Sequence, residues 1–573
     1  MKKIFVLMIT FFFVTTGCKK DPLDITPDGR ITIKEVFQDE KRMEAYLNTV
    51  YGFIPDYFYT YQYFSFLAGA TDEAAESDVG NNLYGTISAW INGSLTPNGS
   101  PLLDHYPRLW AGIRDANVFL ENIDNANVSN ATNRSRLKAE ATLLRAFYYW
   151  ELIKQYGSMP VIDKSLDATF DYASLKRPSF QESVDFIIKD CDDVISNPDL
   201  PLRLTINAES GRFTKSIAYA IKSQALLYNA SPLWNPNNDL AKWKAAADAS
   251  KEALAVLTAG GKYELASDYG DYFLNAADIN ISPRDKETIY QIKGTSPTHL
   301  ITMNGIPSKP GMSKAGVGPS QELVDSYEMK GTGEPAILGY SDAEHLQPII
   351  NSASGYNEND PYIGRDPRFY ASIWFNGALY DNISGSVHVI EAFIGGKDQL
   401  IKTPPNIFNT HTGYYLRKFI DPLLQAGQSS SASWKKYRLA EIYLNMAEAE
   451  NEANGPTTEA YNSINAIRNR ADMPNLPLGL TKEEFRKRVH NERRVELAFE
   501  EHRFWDVRRW KILDKTDKSV AGLEITRNAN QFIYTRFLAE KRNAWENKYL
   551  IFPIPLGDAS NIPDFGANQN PGW

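Results

Sequence analysis

The seven histidines, His105, His299, His345, His388, His411, His490 and His502, are the first place to look for metal or acid–base chemistry. No two stand at HExxH or HxH spacing, and two cysteines cannot supply a CxxC pair plus partners. No GxSxG, P-loop or GxGxxG occurs, so a catalytic metal, nucleophile or cofactor has no supporting motif. Glycoside hydrolysis needs only two carboxylates about 5–9.5 Å apart, and 70 acidic residues supply such pairs by chance, so a surface glycosidase stays open. The densest charged segment is Asn491–Trp510, where Glu492, Glu496 and Glu500 fall four apart among Arg493, Arg494, Arg503, Arg508 and Arg509. Arginine forks holding those carboxylates against neighbouring helices explain it better than catalysis. The Asn/Asp clusters at 235–239 and 357–360 could offer oxygens to calcium, but neither has EF-hand spacing and turns explain both.

What remains is binding chemistry. Aromatics make up 12 % of the chain, with 11 Trp and 31 Tyr. The segment from Asp72 to Pro101 carries Tyr84, Trp90 and Asn92 among Gly and Ser, and a second loop-rich stretch carries Tyr340, Tyr356, Tyr362 and Trp374. An aromatic face packs on the C–H face of a pyranose while Asn and Asp bond its hydroxyls. The candidate ligand residues are therefore Asp72, Tyr84, Trp90, Asn92, Tyr340, Tyr356 and Trp374, each weighed against the alternative of loop core.

These residues must be held by helices. Apolar residues at Leu137, Ala141, Leu144, Tyr148, Leu152 and Tyr156 step by three or four, so a helix is predicted over Leu137–Tyr156, closed by Gly157. Further helices are predicted at Ser179–Ile195, Thr214–Asn229, Ala241–Leu257 and Tyr437–Asn454. Pro456 is placed in the first turn of another, and Thr481 with Glu484 forms a capping box opening a charged helix to about Arg509. Such helices bury their apolar stripes by stacking in antiparallel pairs, which predicts a mainly α, tetratricopeptide-like superhelical array. From about 262 to 432 the helical period disappears and short β-prone pieces such as Ile289–Ile292 stand among Gly, Pro and Asn. This reads as a loop-rich insertion for ligand or partner, with the helical scaffold at 34–261 and 433–573 and one domain over 34–573.

The start of the chain sets the compartment. Met1-Lys2-Lys3 precedes an apolar run from Ile4 to Val14, then Thr15-Thr16-Gly17-Cys18. A run of 11 residues is short of the roughly 20 that span a bilayer, so residues 1–17 read as a signal peptide. Cys18 after Gly17 resembles a lipobox cysteine, with Thr15 where the usual pattern has Leu. The lipid would be a thioether-linked diacylglycerol plus an N-acyl chain, enough to anchor stably. Residues 18–33, with Pro22, Pro27 and Gly29, read as an extended tether. Removing 1–17 leaves 59 basic and 70 acidic side chains, which argues against nucleic acid as a partner. Cys191, left without a partner, is expected as a small buried apolar residue in a helix.

Several segments, in order, resemble the SusD/RagB family of outer-membrane nutrient-binding lipoproteins. They are Cys18 with Asp21-Pro22-Leu23-Asp24; Trp110–Ile123; Ala139-Glu140-Ala141 with Leu144-Arg145-Ala146; Tyr156–Pro160; and Ala230–Asn235. Later come Arg438–Asn445, Ile464–Arg468, Glu492–Glu500, Arg503–Trp510, Phe552–Pro555 and Gln569–Gly572. The resemblance implies a SusD-like α–α superhelix without catalysis. It implies a lipid-anchored, surface-exposed outer-membrane protein that caps a SusC-like TonB-dependent transporter and captures glycans for import. Some family members bind peptides, so a peptide ligand is the alternative. The family shares scaffold motifs rather than ligand residues, so no ligand residue carries over by position.

Overall fold

The computed structural model describes residues 31–57, 66–77, 86–99, 105–206, 209–275, 285–292, 300, 302–309, 311–312, 314–380, 387–403, 406–425, 427–529 and 531–573. The signal peptide, Cys18, most of the tether and Tyr84 lie outside them.

The fold is mainly helical. Ten helices build the scaffold: α1 Glu40–Tyr51, α2 His105–Ile123, α3 Ala131–Tyr156, α4 Phe180–Ser196, α5 Lys215–Ala230, α6 Leu240–Thr258, α7 Leu439–Asn454, α8 Thr458–Arg470, α9 Lys482–Glu496 and α10 His502–Arg509. Each of α2 to α6 packs on the next, and α6 packs on α7 across the intervening 180 or so residues of chain; α7 then packs on α8 and α9. The predicted periodicity is realised as burial: Leu137, Ala141, Leu144, Tyr148, Leu152 and Tyr156 of α3 are all 2 % exposed or less. Helix ends follow local chemistry. Ser179 with Glu182 and Thr481 with Glu484 form capping boxes, and Gly157 and Gly455 close α3 and α7 at φ 75° and 88°. Cys191 is fully buried on α4, as expected for a small apolar residue.

Two sequence expectations about helices change. Pro456 lies before α8 rather than in its first turn; Thr457 caps the helix, accepting from the Ala460 amide. The charged helix expected to run to Arg509 breaks after Glu496, because Phe499 and Glu501 adopt left-handed φ of 61° and 68°. No glycine announces that break. It directs Glu500 at Arg438 and Lys418 (2.7 Å each), contacts that offset the backbone strain.

Among the described residues the strands are short and pair only in twos, all antiparallel. They are β1 Ala74–Glu76, β2 Thr288–Ile292, β3 Val317–Pro319, β4 Ile337–Tyr340, β5 Pro348–Ile350, β6 Ile373–Trp374, β7 Leu379–Tyr380, β8 His388–Val389, β9 Tyr415–Leu416, β10 Trp434–Arg438, β11 Ser519–Asn528 and β12 Gln531–Lys541. The ribbon β11–β12 is the long exception and lies within 433–573, the range assigned to the helical scaffold. The pairing β1–β3 matters most for function, because it brings the Asp72 segment against the middle segment, with Ala74 opposite Pro319.

The middle segment packs into a second core, completed by residues from the flanking scaffold ranges. Phe369, Trp374, Tyr414, Phe419, Phe499, Leu523 and Ile525 belong to one apolar cluster, separate from the larger cluster of the helices. Between the middle segment and α7–α9 lies a buried ionic layer. Arg438 bonds Glu287, Glu496 and Glu500 at 2.7 Å each, Arg368 bonds Asp366, Glu492 and Glu496, and Arg468 bonds Glu328 and Glu492. The arginine forks expected from the 491–510 segment are these. Each charge there is desolvated but multiply paired, so removing one partner is far costlier than the pair's net contribution.

Candidate functional site

Helix Gln321–Ser326 follows β3 directly, and its acidic side chains are the foundation of the site. Asp325 accepts two bonds from the Arg536 guanidinium (2.6 and 2.8 Å), one from Gln321 (2.8 Å) and one from the Tyr340 hydroxyl (2.8 Å). Burial pushes its carboxyl up, but Arg536 overrides this and holds it below the ordinary carboxylate range. Glu322, one turn earlier, accepts from the Ala521 amide (2.9 Å) and meets His345 Nδ1 at 3.1 Å. Burial dominates there and keeps its carboxyl above the ordinary range. His345 sits at φ 61° and its imidazole is raised: burial opposes the charge, but Glu322 and Asp72 more than compensate.

His345 stacks on Tyr340, centroids 4.3 Å apart and planes 21° from parallel. With its hydroxyl on Asp325 and one face on His345, the half-buried Tyr340 ring is fixed before any ligand arrives. It lines a groove of about 620 Å³ between the β4 edge and α9. Leu338, 67 % exposed, stands on its lip. Arg488 and Arg494 come from the opposite wall; Arg494 donates to the Asp72 carbonyl (2.9 Å) and Arg488 to the Gly333 carbonyl. Each keeps a buried Nε–H with no acceptor among the described residues. The groove thus joins a rigid ring to polar walls, the composition that accommodates a sugar.

The remaining expected residues separate. Trp90 is corrected: it is 2 % exposed in the helical core, 5.2 Å from Phe504 and 4.8 Å from Phe552 ring to ring, with Arg508 over its face at 5.0 Å. It lies on helix Thr86–Asn92 with its ring turned inward. The turn-like residues after it are that helix's end, where Asn92 Oδ1 accepts from the Ser94 amide and Gly93 takes φ 75°. Trp374 is corrected likewise: it is fully buried on β6 opposite Tyr415, its ring 4.5 Å from Tyr380. Asp72 is 3 % exposed and consumed by Arg503 (2.8 Å twice) and Arg494 (3.1 Å), so it anchors the segment and offers nothing to a ligand. Tyr356 is half-buried with the Arg365 guanidinium 5.3 Å from its ring, outside the groove lining, and burial pushes its phenol up to about 12. Asn92 is exposed beside Asn543, away from the groove. Sequence reasoning missed Arg488, Arg494, Arg536 and His345, which emerge only when α9 and the ribbon pack against β4.

Two arrangements bear on catalysis. Glu322 and Asp325, one raised and one lowered, mimic the acid and base of a glycosidase. Both are 5 % exposed or less and their oxygens are committed to protein donors. Ser308, His388 and Asp398 also meet, but Ser308 Oγ (2.7 Å) and Asp398 Oδ2 (3.1 Å) share the same Nε2. A charge-relay base needs its carboxylate on the other nitrogen. Among the described residues no group of three or more His, Cys, Asp or Glu could hold a metal ion, and no helix is long and apolar enough to cross a membrane.

A model of the SusD family matches residues 266–573, and one described as starch-binding associating with outer membrane matches 21–227. SusD-like protein P2 of Formosa agariphila is 24 % identical over 524 residues, covering 89 % of this chain and 91 % of that one. The fold superposes on a SusD-like protein of Bacteroides fragilis with TM-score 0.76 and 28 % identity, covering 94 % and 98 % of the two chains. A laminarin-binding SusD-like protein shares the fold at TM-score 0.62 and 21 % identity, over 94 % and 100 %.

Proposed function

The chain belongs to the SusD family, and we propose on that premise that it is a glycan-binding lipoprotein of a nutrient-uptake system. In this reading it captures an oligo- or polysaccharide at the Tyr340 groove and passes it to a SusC-like TonB-dependent transporter, anchored in the outer membrane through Cys18 and exposed at the cell surface. The observation that carries the binding role is the prefixed Tyr340 ring over a polar groove of about 620 Å³. A pyranose face can pack on the ring without paying to order it, and the Arg488 and Arg494 wall supplies donors for hydroxyls. The names of the relatives, starch-binding and laminarin-binding among them, support a carbohydrate over a peptide. No chemistry on the ligand is proposed, because the acid–base pair nearest the groove is bonded to protein on every oxygen that could act.

Native affinity electrophoresis of the purified protein against a polysaccharide panel tests this. Retardation by one polysaccharide, lost in Tyr340→Ala, is expected. Retardation by none, with tight calorimetric binding of peptides, would replace the glycan by a peptide. Release of reducing sugar, abolished by Glu322→Gln, would instead establish hydrolysis. Co-purification with a TonB-dependent barrel from native membranes tests the partner.

A further inference from the structure

A second concavity, of about 590 Å³, opens between helix Tyr269–Tyr272, the segment 417–423, helix Pro367–Ser372 and the end of α8. It shares no lining residue with the Tyr340 groove. Tyr370 is its half-buried aromatic wall, and its hydroxyl, backbone and ring edge are held in place. Its hydroxyl donates to the Tyr362 carbonyl (2.6 Å), Arg417 bonds its carbonyl (2.6 Å), and Phe369 and Phe375 flank it at 5.2 and 6.0 Å. Arg470 lines the same basin with its side chain 4 % exposed, and its Nε–H has no acceptor among the described residues. At the rim Lys330 and Asp472 pair at 2.5 Å while 46 % and 79 % exposed, with Asp421 nearby in the lining.

The charges decide the ligand class. Four carboxylates line the basin with Lys330 and Arg417, while Arg368 and Arg470 are neutralised by Asp366, Glu492, Glu496 and Glu287 behind the wall, so an anionic ligand gains nothing by entering. Carboxylates and cations along one wall offer acceptors and donors to sugar hydroxyls, and the Tyr370 ring offers a flat apolar face. We propose that this basin is a second saccharide-binding site, taking an uncharged sugar stacked on Tyr370 and bonded through Lys330 and Asp472. The proposal rests on the glycan reading above and extends it to two sites per chain.

Calorimetry with laminarihexaose and maltohexaose, both uncharged, together with the panel polysaccharide that binds, tests it on the full chain. Two saccharide equivalents per chain are expected. Tyr370→Ala should weaken one of them about tenfold or more and spare the other, and Tyr340→Ala should do the converse. The surface double variant Lys330→Ala, Asp472→Asn touches no core contact and should weaken the same event as Tyr370→Ala with an unchanged unfolding midpoint. A single equivalent, sensitive to Tyr340→Ala and indifferent to both basin variants, overturns the second site and leaves the glycan reading standing. No binding of any neutral saccharide overturns both.

Discussion

Glu73 stands in the turn before β1, fully buried, and neither of its carboxylate oxygens has a hydrogen-bond partner among the described residues. Burial dominates its titration and pushes the carboxyl up to about 8, with Arg494 and Arg503 opposing and Asp72 adding. In the unfolded chain the same group titrates near its ordinary 4.5. The folded state therefore binds the proton that the unfolded state releases. Stability from this group is complete below the unfolded pKa and is lost as pH rises from about 4.5 to about 8. At pH 7.5 a gap of roughly three units corresponds to about 3–4 kcal/mol, since each unit is about 1.4 kcal/mol. Glu73→Gln removes the titration while keeping the shape. Urea unfolding of both proteins at pH 4.5 and pH 7.5 should show the variant gaining about 3 kcal/mol relative to wild type between the two values. Asp517, raised to about 6, drifts in the same direction in both proteins and cancels in the difference. Parallel pH profiles for variant and wild type would show that Glu73 is ionised and paired in the folded protein, and would refute the reasoning.

Other expected outcomes follow the same geometry. Tyr340→Ala should weaken glycan binding about tenfold or more, while Tyr340→Phe keeps the ring and loses only the Asp325 bond, a smaller effect; calorimetry separates the two. Trp90→Ala and Trp374→Ala should each destabilise the fold by about 3–5 kcal/mol, read by denaturant midpoint, and leave the affinity of the folded fraction unchanged. Arg503→Ala leaves Asp72 buried without its bidentate partner and should cost about 3–5 kcal/mol. Arg494 and Arg503 hold the Asp72 carboxyl well below its usual range against its burial, so that pair's contribution is present at neutral pH and fades as acid is added. A urea series at pH 3 and pH 7 should show Arg503→Ala losing less at the lower value.

The scaffold was legible because helix formation there is local. The stripe of α3 and the capping box at Thr481 lie in contiguous sequence, and the observed ends of α3 to α7 fall within a few residues of those predicted, except at the start of α3, where Ala131–Arg136 extend the helix by more than a turn; the helix opened by Thr481 ends at Glu496 and not at Arg509. Where the outcome depended on distant partners, the sequence misled. Trp90 and Trp374 have the polar neighbours of a binding loop, yet Trp90 packs on Phe504 and Phe552 and Trp374 on Tyr380. Asp72, expected to meet a ligand, is instead an anchor whose partners lie more than 400 residues away. Of the expected ligand residues that lie among the described ones, Tyr340 alone lines the groove, and the arginines that complete it come from α9. The charge pattern of α9 marks it as an ionic brace, and the helix is both brace and wall, one face locked to Arg368 and Arg468 and another lining the groove.

Affinity electrophoresis of wild type and Tyr340→Ala in gels containing uncharged polysaccharides tests the central claim most directly. The account predicts that at least one such polysaccharide retards the wild type and that the substitution abolishes most of the retardation while the unfolding midpoint holds. Equal retardation of the two proteins would place the glycan elsewhere, and retardation of neither by any neutral polysaccharide would contradict the account.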